Sequence, residues 1–74
     1  MASFEKESTL IPILQQILKE KNPVKVKKLA ITKILESKVN PTSKQKMVKM
    51  LTQTHDPIAC IYNLILKYEG KGVL

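Results

Sequence analysis

Three dipeptides constrain the fold of this chain more than any other feature: Asn22-Pro23, Asn40-Pro41 and Asp56-Pro57. An Asn or Asp side chain can accept a hydrogen bond from a free N–H group in the first turn of a helix. Proline suits the next position because its missing N–H costs nothing there and its φ is already helical. Proline also moves the preceding residue out of the helical region, which stops the upstream helix. Each dipeptide therefore predicts the end of one helix and the start of another.

These boundaries predict an all-α fold, a single compact domain of four short helices over roughly residues 8–21, 23–38, 41–54 and 57–69. Ser8 or Thr9 is predicted to cap the first helix, with Pro12 in its first turn. The alternative is a helix that begins near Ser3 and kinks at Pro12. Gly70 is predicted to follow the last helix. Residues 1–74 then form one domain with loose ends at 1–6 and 71–74.

The apolar patterns of the four segments differ. Helices 1 and 3 each carry one apolar stripe, helix 2 has a wider arc, and helix 4 is apolar almost all round except at Asn63 and Lys67. Such a helix is either central to the fold or part of a contact between chains. Complete burial within one chain is one alternative. The other is a partner or dimer contact, for which we assign Ile58, Ile61, Tyr62, Ile65 and Tyr68, with Leu66 also at risk of remaining uncovered.

A shift of 34 residues aligns the two halves of the chain, placing Asn22-Pro23 on Asp56-Pro57 and Ala30 on Leu64. Two similar helical hairpins would produce this match. Any two amphipathic hairpins with the same turn also align about as well, so both readings stay open.

Side chains suited to catalysis or metal binding are few. The chain has six acidic residues, one histidine and one cysteine. His55 lies in a predicted turn, and Asp56 has a sufficient role as a helix cap. Zinc needs about four N or S ligands, and Cys60 lies in an apolar helix without a nearby acid–base partner. We therefore expect no enzymatic activity, no cofactor and no metal site.

Signals for targeting or membrane insertion are missing from the sequence. Glu5 and Glu7 precede any apolar run, which is the wrong charge order for a signal peptide. The longest unbroken apolar run, Ile58 to Tyr62, is far short of the ~20 residues that a spanning helix needs. We expect an intracellular protein without a transmembrane segment, cytoplasmic or, in a eukaryote, nuclear.

Charge is the most informative functional feature. Thirteen lysines, no arginine and six acids give a formal charge of +7, and residues 19–49 hold ten of the lysines against two glutamates. Clustered lysines attract polyanions such as acidic proteins or nucleic-acid backbones. The alternatives are a solvated face that only keeps the protein soluble, or a lysine excess that reflects AT-rich coding. The residues that we assign to the basic face are Lys25, Lys28, Lys33, Lys46 and Lys49.

The function predicted from these features is that of a small non-enzymatic regulatory or inhibitory binding protein. The lysine-rich face of helices 2 and 3, with apolar anchors from helix 4, would engage an acidic protein partner. The alternative is a sequence-nonspecific protein that binds the phosphate backbone of nucleic acid. The absence of arginine and of an aromatic stacking platform disfavours base-specific contacts. A homodimer through helix 4 is a further alternative.

Overall fold

The computed structural model describes residues 4–69. A 3₁₀ helix at Glu7–Leu10 leads into α1 at Ile11–Ile17, and α2 at Pro23–Glu36, α3 at Pro41–Gln53 and α4 at Pro57–Glu69 follow. The predicted all-α, single-domain fold is confirmed, and α2, α3 and α4 each begin at the expected proline. Over the same residues, no helix is both long and apolar enough to span a membrane.

The three predicted caps explain where these helices begin. In each case the side-chain oxygen of the Asn or Asp before the proline accepts a hydrogen bond from an N–H group two or three residues later. The pairs are Asn22 with the Val24 N–H at 3.0 Å, Asn40 with the Thr42 N–H at 2.8 Å, and Asp56 with the Ala59 N–H at 3.1 Å.

The start of the first helical segment differs from the prediction. Helical backbone begins as a 3₁₀ turn at Glu7, and no side chain caps that turn. The Thr9 hydroxyl donates to the Lys6 carbonyl oxygen at 2.7 Å and does not accept from a free N–H group. Capping by Ser8 or Thr9 is therefore wrong, whereas Pro12 does lie in the first turn of α1.

The end of α1 also differs, since the helix stops at Ile17 and not near residue 21. The Glu20 N–H donates to the Ile17 carbonyl at 3.0 Å, a bond of the i→i−3 type that tightens and closes the last turn. The Glu20 carboxylate then accepts from the N–H groups of Lys21 and Asn22 at 3.1 and 3.3 Å. These bonds satisfy the backbone outside the helix and let the chain turn toward α2.

Part of the predicted loose N-terminal end is attached to the fold. The Glu5 N–H donates to the Lys38 carbonyl oxygen at 3.0 Å, and Glu5 forms an isolated parallel bridge with Val39. Residues beside the bridge are thereby held against the turn between α2 and α3. The predictions for residues 1–3, Gly70 and 71–74 fall outside the described residues.

The core lies around a central pair of helices, α2 and α4. α2 buries Val26, Ala30 and Ile34 on one side, and α4 buries a wider arc that includes Ile61 and Leu64. α1 and α3 each contact both central helices. They flank the pair on its two sides, because grooves against α3 and against α1 open on opposite edges of α4. The exposed sides of α2 and α4 therefore point away from each other.

The two predicted hairpins match only in part. In the alignment offset by 34 residues, Ala30 and Leu64 are both buried, as are Val26 and Cys60. The first helices differ, since α1 has 7 residues and α3 has 13. The hairpin repeat stays a prediction.

Candidate binding surfaces

Lys27 and Lys44 have structural roles that the sequence did not indicate. The Lys27 ammonium donates to the Thr52 carbonyl oxygen at 3.2 Å, and the Lys44 ammonium donates to the Leu35 carbonyl oxygen at 3.1 Å. Each lysine lies near the start of its own helix and reaches the last turn of the neighbouring one, so α2 and α3 run antiparallel. A positive charge at a helix C-terminus interacts favourably with the helix dipole and the free carbonyl groups.

The five lysines assigned to the basic face are all exposed. Three of them belong to α2, where Lys25 and Lys28 lie on the outward side, while Lys33 lies at the edge of the buried stripe, seven residues after the buried Val26. Lys25 and Lys28 line an open groove of about 320 Å³ together with Leu29 and Thr32. The aliphatic stems of these lysines and the leucine form the groove wall.

Large apolar side chains are exposed among these lysines. Leu29 is 41% exposed and Leu35 is 55% exposed, and Val24 is exposed at the start of the helix. We call this outward surface of α2 the α2 face. It consists of Val24, Lys25, Lys28, Leu29, Thr32 and Leu35, with Lys33 at one edge and the exposed Glu36 in its last turn.

The two lysines of α3 lie on different parts of its exposed side. Each residue turns the helix by about 100°. Lys49 is therefore closer to the edge that meets α2, which carries Thr52. Lys46 is closer to Met50, which lines the groove against α4. Lys49 extends the α2 face, and Lys46 lies nearer the other side of the molecule.

The predicted contact residues of helix 4 divide between core and surface. Ile61 and Ile65 are buried in the core, and Ile58 and Tyr68 are half-buried. Burial raises the pKa of the Tyr68 hydroxyl, and the negative charge of Glu7 raises that pKa further. These four residues pack within the single chain.

Tyr62 remains, and it is 55% exposed. Leu66, which the site assignment left out, is 64% exposed and follows Tyr62 by four residues, so the two lie side by side on the helix. The sequence already placed Leu66 among the residues at risk of remaining uncovered, and its i, i+4 spacing from Tyr62 was the signal for adding it to the assigned site. We call the outward side of the helix the α4 strip, consisting of Ala59, Tyr62, Asn63 and Leu66.

The α4 strip runs between two open grooves. The groove against α3 has a volume of about 320 Å³ and is lined by side chains that include Met50, Asp56 and Asn63. The groove against α1 measures about 350 Å³ and includes Lys19 and Tyr62. The strip itself is uncharged, and two basic and two acidic exposed side chains border it: Lys19, Lys67, Asp56 and Glu69.

The basic residues of α2 and the exposed apolar residues of α4 do not form one site. The α2 face and the α4 strip lie on opposite sides of the central helix pair, because both helices bury their inner sides in the same core. The packing therefore does not bring the predicted lysines and the helix 4 anchors together on one surface that a single partner could cover. The apolar residues that accompany the lysines are Leu29 and Leu35 of α2 itself.

The side chains with chemical reactivity are dispersed. His55 is exposed and lines a groove of about 420 Å³ with Lys27 and Pro57, while Cys60 is buried, which raises the pKa of its thiol. Across residues 4–69, no group of three or more His, Cys, Asp or Glu side chains is placed to hold a metal ion. Comparisons with protein-family models, curated proteins and solved structures find no match to this chain.

Proposed function

We propose that this protein is a small, non-enzymatic, regulatory binding protein that engages an acidic protein partner through the α2 face and the adjoining Lys49. The observation that supports this proposal is the mixture of exposed lysines with exposed Leu29 and Leu35 on one side of one helix. Carboxylates of a partner would pair with the ammonium groups, while its apolar side chains would cover the leucines. Exposed apolar surface rimmed by polar groups is typical of protein interaction sites.

The charge balance supports the same partner. Lysines outnumber acidic side chains thirteen to six, so most of them have no possible partner in this chain. Lys27 and Lys44 use their charge at helix ends, whereas Lys25, Lys28 and Lys33 present theirs to solvent. A protein of this kind would regulate by covering a surface of its target. The proposal includes an intracellular setting, with which the single, buried and unpaired Cys60 is compatible.

A second candidate is binding to the phosphate backbone of nucleic acid. The observation that favours it is the exposed side of α3, where Thr42, Gln45, Lys46 and Lys49 are polar or basic. Such residues can contact phosphates without reading sequence. The leucines of the α2 face would have no apolar counterpart on a phosphate backbone, which is why we favour an acidic protein.

Fluorescence anisotropy with two defined probes separates the candidates. One probe is an amphipathic peptide of alternating glutamate and leucine, and the other is a DNA duplex of similar total charge. We expect the double variant K25Q/K28Q to lower the affinity for the peptide by about tenfold. The control K6Q/K67Q removes the same charge elsewhere and should change the affinity much less.

The single variant L29Q distinguishes the partners further. It should weaken peptide binding and leave duplex binding unchanged, because only the peptide can cover a leucine. The nucleic-acid function would be favoured instead if the duplex binds more tightly than the peptide and L29Q changes neither affinity. The log affinity for the duplex should then fall linearly with log salt concentration.

A further inference from the structure

We infer that the α4 strip is a contact between two copies of this chain, which associate as an antiparallel dimer with two-fold symmetry. The sequence suggested a homodimer as one alternative, and the structure adds the face and the register. Tyr62 and Leu66 are more than half exposed and adjacent on the helix, so they form a continuous apolar surface. Uncovered apolar surface of this kind on a small protein usually marks an interaction site.

The distribution of charge identifies the occupant of the strip as a second copy. The two grooves that border the strip hold one lysine and one aspartate, Lys19 and Asp56. Lys25 and Lys28 of the α2 face lie on the opposite side of the molecule. Two copies that each carry +7 repel each other least when strip meets strip, because their α2 faces then point apart. An acidic partner would meet as many acidic as basic side chains on this side, because Asp56 and Glu69 accompany Lys19 and Lys67.

The register follows from two oppositely charged residues on one edge of α4. Asp56 and Lys67 are eleven residues apart, which is about three full turns, so both lie on the edge of the helix that faces α3. When two such helices pack antiparallel about a two-fold axis near Tyr62, like edges meet. Asp56 of each copy then lies beside Lys67 of the other copy. A parallel two-fold arrangement would bring unlike edges together and lose both pairs.

The same register fits the shapes of the strip residues. Leu66 of one copy lies above the start of α4 in the other, where Ala59 leaves room for it. One helix face gives a small interface, and interfaces that bury less than about 1,200 Å² are usually weak. We therefore expect a monomer–dimer equilibrium in the range of about 10 µM to 1 mM.

Sedimentation equilibrium of the full chain tests the face. The wild-type protein should dimerise across that concentration range, and L66E should raise the dissociation constant by at least about tenfold. Since Leu66 is exposed in the single chain, L66E should fold normally by circular dichroism. L35E is the matched control, because Leu35 is similarly exposed but lies on the α2 face. The proposal would be overturned if the wild-type protein stays monomeric at 1 mM. It would also be overturned if the L35E dimer dissociates as readily as the L66E dimer.

A charge reversal tests the register. K67D should weaken the dimer, because Asp56 of the second copy would then face an aspartate. Adding D56N to K67D should restore part of the affinity, since asparagine removes the repulsion and still caps α4. If K67D leaves the dissociation constant unchanged, the antiparallel register is wrong. The proposed acidic partner is tested separately, because L66E should bind the glutamate–leucine peptide as tightly as the wild-type monomer does.

Discussion

α2 and α4 make the most useful comparison in this molecule, because they are alike in construction and differ in what they expose. They have 14 and 13 residues, each begins at a capped proline, and each buries one side in the same core. On α2 the exposed leucines lie among lysines, whereas on α4 Tyr62 and Leu66 adjoin Ala59 and Asn63. The apolar surface alone would make the two sides equivalent. The surrounding charge is the difference on which the two proposals, an acidic partner for one side and a second copy for the other, depend.

The comparison also concerns what holds each helix in place. The C-terminal end of α2 receives the Lys44 ammonium from α3, and Lys27 of α2 reaches the end of α3. Near the end of α4, the negative charge of Glu7 raises the pKa of the half-buried Tyr68. The Glu7 carboxylate also accepts a hydrogen bond from the Ser43 hydroxyl. α2 is therefore linked to its neighbour by cations, and the C-terminal end of α4 lies near an anion.

The largest expected effect separates the inner from the outer side of both helices. Ile34 and Ile61 are fully buried, so I34A and I61A should each lower the free energy of unfolding by about 2–5 kcal/mol through the cavity they leave. L35A and L66A are the outer controls and should change it by less than about 0.5 kcal/mol. Urea denaturation followed by circular dichroism at low protein concentration measures all four. An L66A variant as damaging as I61A would mean that the α4 strip is part of the core.

The helix caps come next. N22A and D56A remove equivalent caps from α2 and α4, and each should cost about 1 kcal/mol of stability. N22D and D56N keep a capping oxygen and serve as controls that should retain most of it. If either alanine variant unfolds at the wild-type urea midpoint, that helix does not depend on its cap.

A smaller effect is expected from the lysines at helix ends. K27Q and K44Q remove a cation from a helix C-terminus, and each should lower stability by about 0.3–1 kcal/mol at low salt, with the loss shrinking as salt is added. K28Q and K49Q remove exposed lysines of the same helices and should be nearly neutral. Equal effects for all four in thermal denaturation would mean that net charge, and not the contact with the carbonyl groups, is responsible.

The smallest effect should appear as a pH dependence near α4. The hydrogen bond from the Ser43 hydroxyl, with a backbone hydrogen bond, holds the pKa of Glu7 below its ordinary value of 4.5. A carboxyl group with a lowered folded-state pKa stabilises the fold above pH 4.5, and this contribution is lost as the pH falls through the folded-state pKa. E7Q should therefore be less stable than the wild type at pH 7, and the difference should vanish in strong acid.

E5Q is the control for that experiment, because it removes the same charge two residues away while Glu5 remains bonded through its backbone N–H. Unfolding midpoints should be measured at several pH values for both variants. If E5Q showed the same pH-dependent loss of stability as E7Q, the assignment of this effect to Glu7 would be wrong.

Much of the fold could be predicted from the sequence because its determinants are local. Asn22, Asn40 and Asp56 bond to N–H groups only two or three residues away, so the dipeptides alone located the starts of α2, α3 and α4. The exposure of all five assigned lysines also followed from residue type, since burying an unpaired ammonium is costly. The end of α1 was misplaced because the bond that closes it, from the Glu20 N–H to the Ile17 carbonyl oxygen, has no comparable sequence signature.

What only the tertiary structure decided depends on contacts distant in the sequence. Lys27 meets Thr52 across 25 residues and Glu7 meets Ser43 across 36, and no pattern in the chain marks either pair. The same holds for the separation of the α2 face from the α4 strip. Apolar periodicity showed that helix 4 is apolar almost all round and left open whether one chain covers it completely. The packing of α1 and α3 on the two flanks of the central pair decided which side of α4 stayed exposed, because that packing determines where each outer side points. It also placed this side opposite the lysines of the α2 face.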